Sequence, residues 1–197
     1  MDLRVAAGSL ASLILVCLGA IGLSGCPAAV VGGAAGVASV AADPRSSGTI
    51  MQDEGIEFRI ANGIQGDPEL GKSAHISVTS YNGVVLLTGE APTAELRERA
   101  FSYANGDDKV RLIHNEIAIA PPLPFSARNY DTWLTTKAKT KLLGMEQLNA
   151  AAIKVVTSDT TVYLMGLVSR QDGQAAAKAV AELEGVSRVV KAFEYKD

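Results

Sequence analysis

Two stretches of this chain repeat one another at a fixed offset. His75-Ile-Ser-Val-Thr-Ser-Tyr-Asn-Gly-Val-Val-Leu-Leu-Thr-Gly89 matches Ala152-Ile-Lys-Val-Val-Thr-Ser-Asp-Thr-Thr-Val-Tyr-Leu-Met-Gly166. Ile76 pairs with Ile153, Val78 with Val155, Val85 with Val162, Leu87 with Leu164 and Gly89 with Gly166, all 77 residues apart. Self-similarity at one spacing means that a single supersecondary unit is present twice. Any fold assigned to one copy must therefore serve the other.

Each copy reads in the same order. A short helix comes first, at 53–64 and again at 131–143. A strand follows, at 74–80 and 151–157, with the apolar/polar alternation of a half-buried strand. A turn comes next, at Asn82-Gly83 and at Ser158-Asp159. A second strand then runs to the paired glycine. A longer helix occupies 93–104 and 171–183, where Thr93 with Glu95 and Ser169 with Asp172 supply first-turn capping chemistry. A last strand closes each copy, at 110–119 and 186–195, and Gly185 marks a helix stop. The order α-β-β-α-β, twice, predicts an α+β fold. Each copy has a three-stranded mixed sheet covered on one face by two helices. At about 65–70 residues a unit is near the lower limit for one core, so stability is modest unless the two pack together. The division is 51–120 and 129–197, joined by a proline-rich linker at 121–128 whose prolines limit relative motion.

The segment ahead of the repeats reads as an export signal. Arg4 precedes an apolar run over 5–23, long enough to be weighed as a retained membrane span. Leu23-Ser24-Gly25-Cys26 decides between the two. It resembles the lipobox of bacterial lipoproteins at all four positions, which implies a signal peptide at 1–25 and acylation of Cys26, palmitate included. Pro27 after Cys26 lacks the aspartate that favours inner-membrane retention, so the expectation is the outer membrane. Cys17 falls in the removed segment, which leaves no pair for a disulfide. Residues 26–50 form the tether: 27–42 are nearly all Ala, Val and Gly, and Asp43-Pro-Arg-Ser-Ser-Gly48 is a turn-rich exit.

The helix that opens the second copy carries the functional signal. Asp131 is read as its N-cap and Gly144 as its stop. Leu134, Ala138 and Leu142 form one apolar stripe at helical spacing. Trp133, Lys137 and Lys141 form a second stripe beside it. A lone tryptophan in line with cations suits an anionic membrane interface, and equally the edge of a core. Comparison between the copies favours the interface. Ile56, Ile60 and Ile64 align with Leu134, Ala138 and Leu142 at a spacing of 78, which sets Trp133 against Gly55 and Lys141 against Gly63. A shared core has no need of Trp133. The first helix bears Glu54 and Glu57 with Arg59; the second bears Lys137, Lys139 and Lys141 with Asp131.

The strand-turn-strand with its closing glycine, the amphipathic helix after it, and Gly185-Val-Ser-Arg-Val189 resemble the BON domain. Two such units behind a lipobox, with Asp43-Pro-Arg-Ser46 and Asp131-Thr-Trp133, resemble the dual BON-domain outer-membrane lipoproteins of the DolP family. That resemblance implies a lipid-anchored protein on the periplasmic face of the outer membrane. It implies binding of anionic phospholipids (phosphatidylglycerol, cardiolipin) through the first helix of the second BON domain, with Trp133 as the inserting residue. It further implies upkeep of envelope integrity, a place at the cell-division site and links to outer-membrane protein assembly. Lys137, Lys139, Lys141 and Leu134 join Trp133 as the expected phospholipid contacts, the lysines by geometry rather than by motif.

With 18 Lys and Arg against 21 Asp and Glu, the chain has no basic surplus. Lipid binding has to rest on a local patch, and nucleic acid is disfavoured as a partner. His75 and His114 lie at strands without partners at ligand spacing. No nucleophile elbow, phosphate loop or metal motif is present, and nothing calls for a cofactor or an enzyme. The alternative to a lipid reader is a protein-interaction adaptor for outer-membrane protein assembly, working through the first unit or the sheet surfaces.

Overall fold

The computed structural model describes residues 43–196. The signal peptide, Cys26 and the tether up to residue 42 lie outside the described residues. The first unit runs α1 (Ser47–Gly66), a short α2 (Leu70–Ser73), β1 (His75–Tyr81), β2 (Val84–Ala91), α3 (Ala94–Asn105), β3 (Leu112–Asn115) and β4 (Ala118–Ile119). The second runs α4 (Phe125–Leu143), a 3-10 turn (Ala150–Ala152), β5 (Ile153–Ser158), β6 (Thr161–Val168), α5 (Arg170–Ala181) and β7 (Arg188–Tyr195). In each unit the middle strand pairs antiparallel with the strand before it and parallel with the last one. The sheets are therefore mixed, as the α-β-β-α-β order predicts.

Several local expectations are corrected. Both opening helices start earlier than the sequence pattern suggests. Ser46 caps α1 by accepting from the Thr49 amide at 3.1 Å, and α4 begins at Phe125 behind Pro124, so 125–128 are helix rather than linker. Asp131 is not an N-cap but sits inside α4. The second hairpin turns at Asp159-Thr160, both with positive φ (47° and 56°), one residue later than expected. The last strand of the first unit is broken at Glu116-Ile117, where Ile117 turns into the core at 3% exposure.

The paired glycines have a steric origin. Gly89 and Gly166 have φ of 106° and 154°, and a Cβ on either would collide with the carbonyl oxygen of His75 on β1 or of Ala152 just before β5. Only glycine lets the strands approach so closely there.

Alternation along β2 and β6 builds three cores. Val85, Leu87 and Ala91 point to α1 and α3, against Ile56, Ile60, Ile64, Leu96 and Ala100. Val162, Leu164 and Val168 do the same beneath α4 and α5, against Ala138, Leu142, Ala176 and Val180. The opposite faces of the two strands meet each other. Tyr81, Val84 and Leu86 pack on Tyr163, Met165 and Ala192. The helix-free faces of the two sheets are thus the seam between the units, giving the layers helix, sheet, sheet, helix. Each fully buried Val or Leu contributes about 1.5–3 kcal/mol, so the seam supplies what a small unit lacks alone. Polar ties edge it: Lys154 to Glu57 at 2.7 Å, Arg111 to Glu194 at 2.6 Å, and Asn82 Nδ2 donating to Glu194 at 2.7 Å.

Candidate membrane-facing helix

The orientation of α4 is set by Asp131. Its carboxylate is 6% exposed and accepts from the Asp159 and Thr160 amides, both at 2.9 Å. It therefore caps the turn of the β5–β6 hairpin, the task Asp53 performs for the β1–β2 turn by accepting from Asn82 and Gly83. With Asp131 held inward, helical spacing sends Leu134, Ala138 and Leu142 inward as well, at 0, 0 and 1% exposure. Leu134 is thus a core residue, which removes it from the expected lipid contacts. Its side chain has no path to the surface while the hairpin is capped.

Trp133 faces the other way and is 50% exposed. Its indole stacks on the Tyr130 ring with centroids 5.3 Å apart. The Lys137 ammonium stands 4.8 Å from the indole centroid and donates to the Glu184 carbonyl at 2.9 Å. Gly185 allows this arrangement. Its φ is 95°, and a Cβ there would run into the Tyr130 hydroxyl. Lys137 is therefore a positioning residue, tied to the fold at one end and to the indole at the other. Lys139 and Lys141 are exposed, and among the described residues they pair with no carboxylate.

Two residues escaped the sequence pattern. Phe125 and Leu143 are 70% and 62% exposed and lie five turns apart on one line of the helix. The signal for Leu143 was the Leu142-Leu143 pair, since one stripe accommodates only one of them. Phe125 was hidden because it was assigned to the linker. Between them, Thr132, Thr136 and Thr140 each donate to the carbonyl four residues back, at 3.0, 3.1 and 3.0 Å. Their hydroxyls are satisfied within the helix, which lowers the cost of removing this face from water. The face thus presents Phe125, Trp133 and Leu143, with Lys139 and Lys141 on its two flanks. Among the described residues no cluster of metal-ligating side chains occurs, and no helix is long and apolar enough to cross a membrane.

The units differ in charge. Residues 52–121 carry eleven carboxylates against six cations, and residues 130–197 carry eight against nine. On α1, Met51 and Phe58 are 71% and 69% exposed beside Glu54.

The BON domain family matches at residues 52–121 and 130–197. The chain is similar to the outer membrane lipoprotein DolP of Haemophilus influenzae, with 37% identity over 93% of this chain and 96% of the relative. It is similar to a 21 kDa hemolysin of Actinobacillus pleuropneumoniae, with 39% identity over 78% of this chain and 79% of the relative. It is also similar to the osmotically-inducible protein Y of Escherichia coli, with 29% identity over 72% of each.

Proposed function

The chain belongs to the BON-domain family, among the dual-BON lipoproteins of the DolP kind, and on that premise we propose that it reads anionic phospholipid through the outer face of α4. It is an outer-membrane BON lipoprotein. In this reading it is non-enzymatic, anchored through acylated Cys26 on the periplasmic side, and serves envelope integrity at the division site. The supporting observation is the α4 face: a half-exposed Trp133 braced by Tyr130 and Lys137, Phe125 and Leu143 exposed at its ends, and Lys139 and Lys141 free. The indole suits headgroup depth, and each free cation contributes about 1 kcal/mol at an anionic surface. That is weak binding alone, and an acyl anchor raises its effective concentration.

The test uses Trp133 as its own probe. Its emission is recorded against phosphatidylglycerol or cardiolipin vesicles and against neutral vesicles, at low and high salt. A blue shift with anionic vesicles, suppressed by salt, is expected. An unchanged spectrum on anionic vesicles refutes the reading.

A second role, as an adaptor in outer-membrane protein assembly, is favoured by one observation. Met51 and Phe58 project from α1 of the acidic unit, a face unsuited to anionic lipid and suited to a protein partner. Loss of a partner on Phe58→Glu, with Trp133→Ala harmless, is its signature.

A further inference from the structure

Glu90 is a buried carboxylate with one hydrogen bond among the described residues. It is 4% exposed, and its Oε2 accepts from the Leu123 amide at 3.2 Å. The other buried carboxylates are better provided for. Asp53 accepts from Arg45, Ser80, Asn82 and Gly83, and Asp131 from two amides. The repeat shows that the seam does not require a charge at this rank. Thr88 and Glu90 on β2 correspond to Met165 and Leu167 on β6, 77 residues on, where apolar side chains fill the same places. A buried carboxylate with so little compensation is unfavourable relative to a packed apolar side chain.

Glu90 borders open space. It lines two cavities along the seam, of about 180 and 260 Å³. The smaller also contains Arg128, whose Nη1 donates to the Leu123 carbonyl. The two sides of one residue's backbone thus hold a carboxylate and a guanidinium within about 9 Å of each other, by backbone dimensions. Among the described residues the remaining nitrogens of Arg128 have no acceptor. Ser77, Thr88 and Ser158 also line this space. Asp131 borders it too, each of its oxygens accepting one hairpin amide.

We propose that this seam cavity binds a small zwitterion, with its ammonium against Glu90 and its anionic group against Arg128. The chemistry is that of phosphoethanolamine or an amino acid: opposite charges on a short carbon spacer, small enough for about 180 Å³. The site adjoins the outer face of α4, with Thr132 bordering both, and stands whether or not that face binds lipid. The same ligand chemistry has two sources, a free solute or the headgroup of phosphatidylethanolamine.

The experiment follows the Leu123 amide by NMR in the full chain. O-phosphoethanolamine and glycine are the soluble probes; phosphatidylethanolamine and phosphatidylcholine vesicles are the membrane probes. A saturable shift with a soluble zwitterion, larger than with ethanolamine or inorganic phosphate alone, supports the site. A response to phosphatidylethanolamine vesicles and not to phosphatidylcholine assigns it to the headgroup; a response only to the solutes assigns it to a free ligand. Glu90→Gln keeps an acceptor for Leu123 and removes the charge. It should weaken binding by about tenfold or more while the Leu123 amide stays ordered. Arg128→Gln should weaken the phosphate end in the same way. Absence of a saturable shift with every probe, or equal affinity in Glu90→Gln, overturns the proposal and leaves Glu90 as a clasp for the linker.

Discussion

Lys137 holds its ammonium 4.8 Å from the centroid of the Trp133 indole while donating to the Glu184 carbonyl at 2.9 Å. This pair separates two kinds of lysine on one helix. Lys137 is bound into the fold and braces the indole, whereas Lys139 and Lys141 remain available to an anionic surface.

Replacing the free pair should therefore change the electrostatics of binding. Lys139→Gln with Lys141→Gln should weaken binding to phosphatidylglycerol vesicles by about 2 kcal/mol and flatten its salt dependence. Lys137→Gln should leave the salt dependence nearly intact and alter Trp133 emission before any vesicle is added. Vesicle co-sedimentation across a salt series, with emission spectra, checks both.

Core and contact residues on α4 should respond oppositely. Leu143→Asp and Phe125→Asp should abolish vesicle binding with little change in stability, because those side chains are already exposed. Leu134→Ala should cost about 2–5 kcal/mol of stability. Thermal unfolding beside vesicle binding distinguishes the classes.

The two hairpin caps should differ in weight. Asp131→Asn disturbs two amide donors and should cost about 1–3 kcal/mol. Asp53→Asn should cost more, since Asp53 also receives Ser80 and Arg45. Urea unfolding of the two variants ranks them.

Acid should loosen the seam. Hydrogen bonding from Arg111 holds the Glu194 carboxyl below its ordinary value, against the raising effect of burial, with Asn82 adding to the depression. A carboxylate depressed on folding stabilises above its unfolded pKa of 4.5, and that stability is lost as pH falls through the folded value. Stability should therefore decline from just above pH 4.5 downward, and Glu194→Gln should make that decline shallower. Denaturant midpoints from pH 6 to pH 3 test it.

Much of this protein was legible without coordinates. The 77-residue repeat, the strand alternation and the helical stripes of Ile56-Ile60-Ile64 and Leu134-Ala138-Leu142 specify the element order and two of the cores, because local periodicity reports which side of an element is apolar. Trp133 was legible as an outward residue through its alignment with Gly55. What the periodicity does not contain is a partner. The burial of β2 and β6 on both faces creates the seam, and only packing of one sheet on the other reveals that Val84, Leu86, Tyr163 and Met165 are interior. Asp131 looked like a cap for its own helix, because capping chemistry is the same wherever the amides come from; the fold assigns it to a hairpin 28 residues away. Lys137 looked free because its acceptor, the Glu184 carbonyl, is 47 residues distant. Glu90 lies near the end of a strand, and it is a buried carboxylate because the linker, through the Leu123 amide, closes over it. Local pattern determines which elements form and which face is apolar; contacts between residues distant in sequence decide which charges are free, which are engaged and which are enclosed.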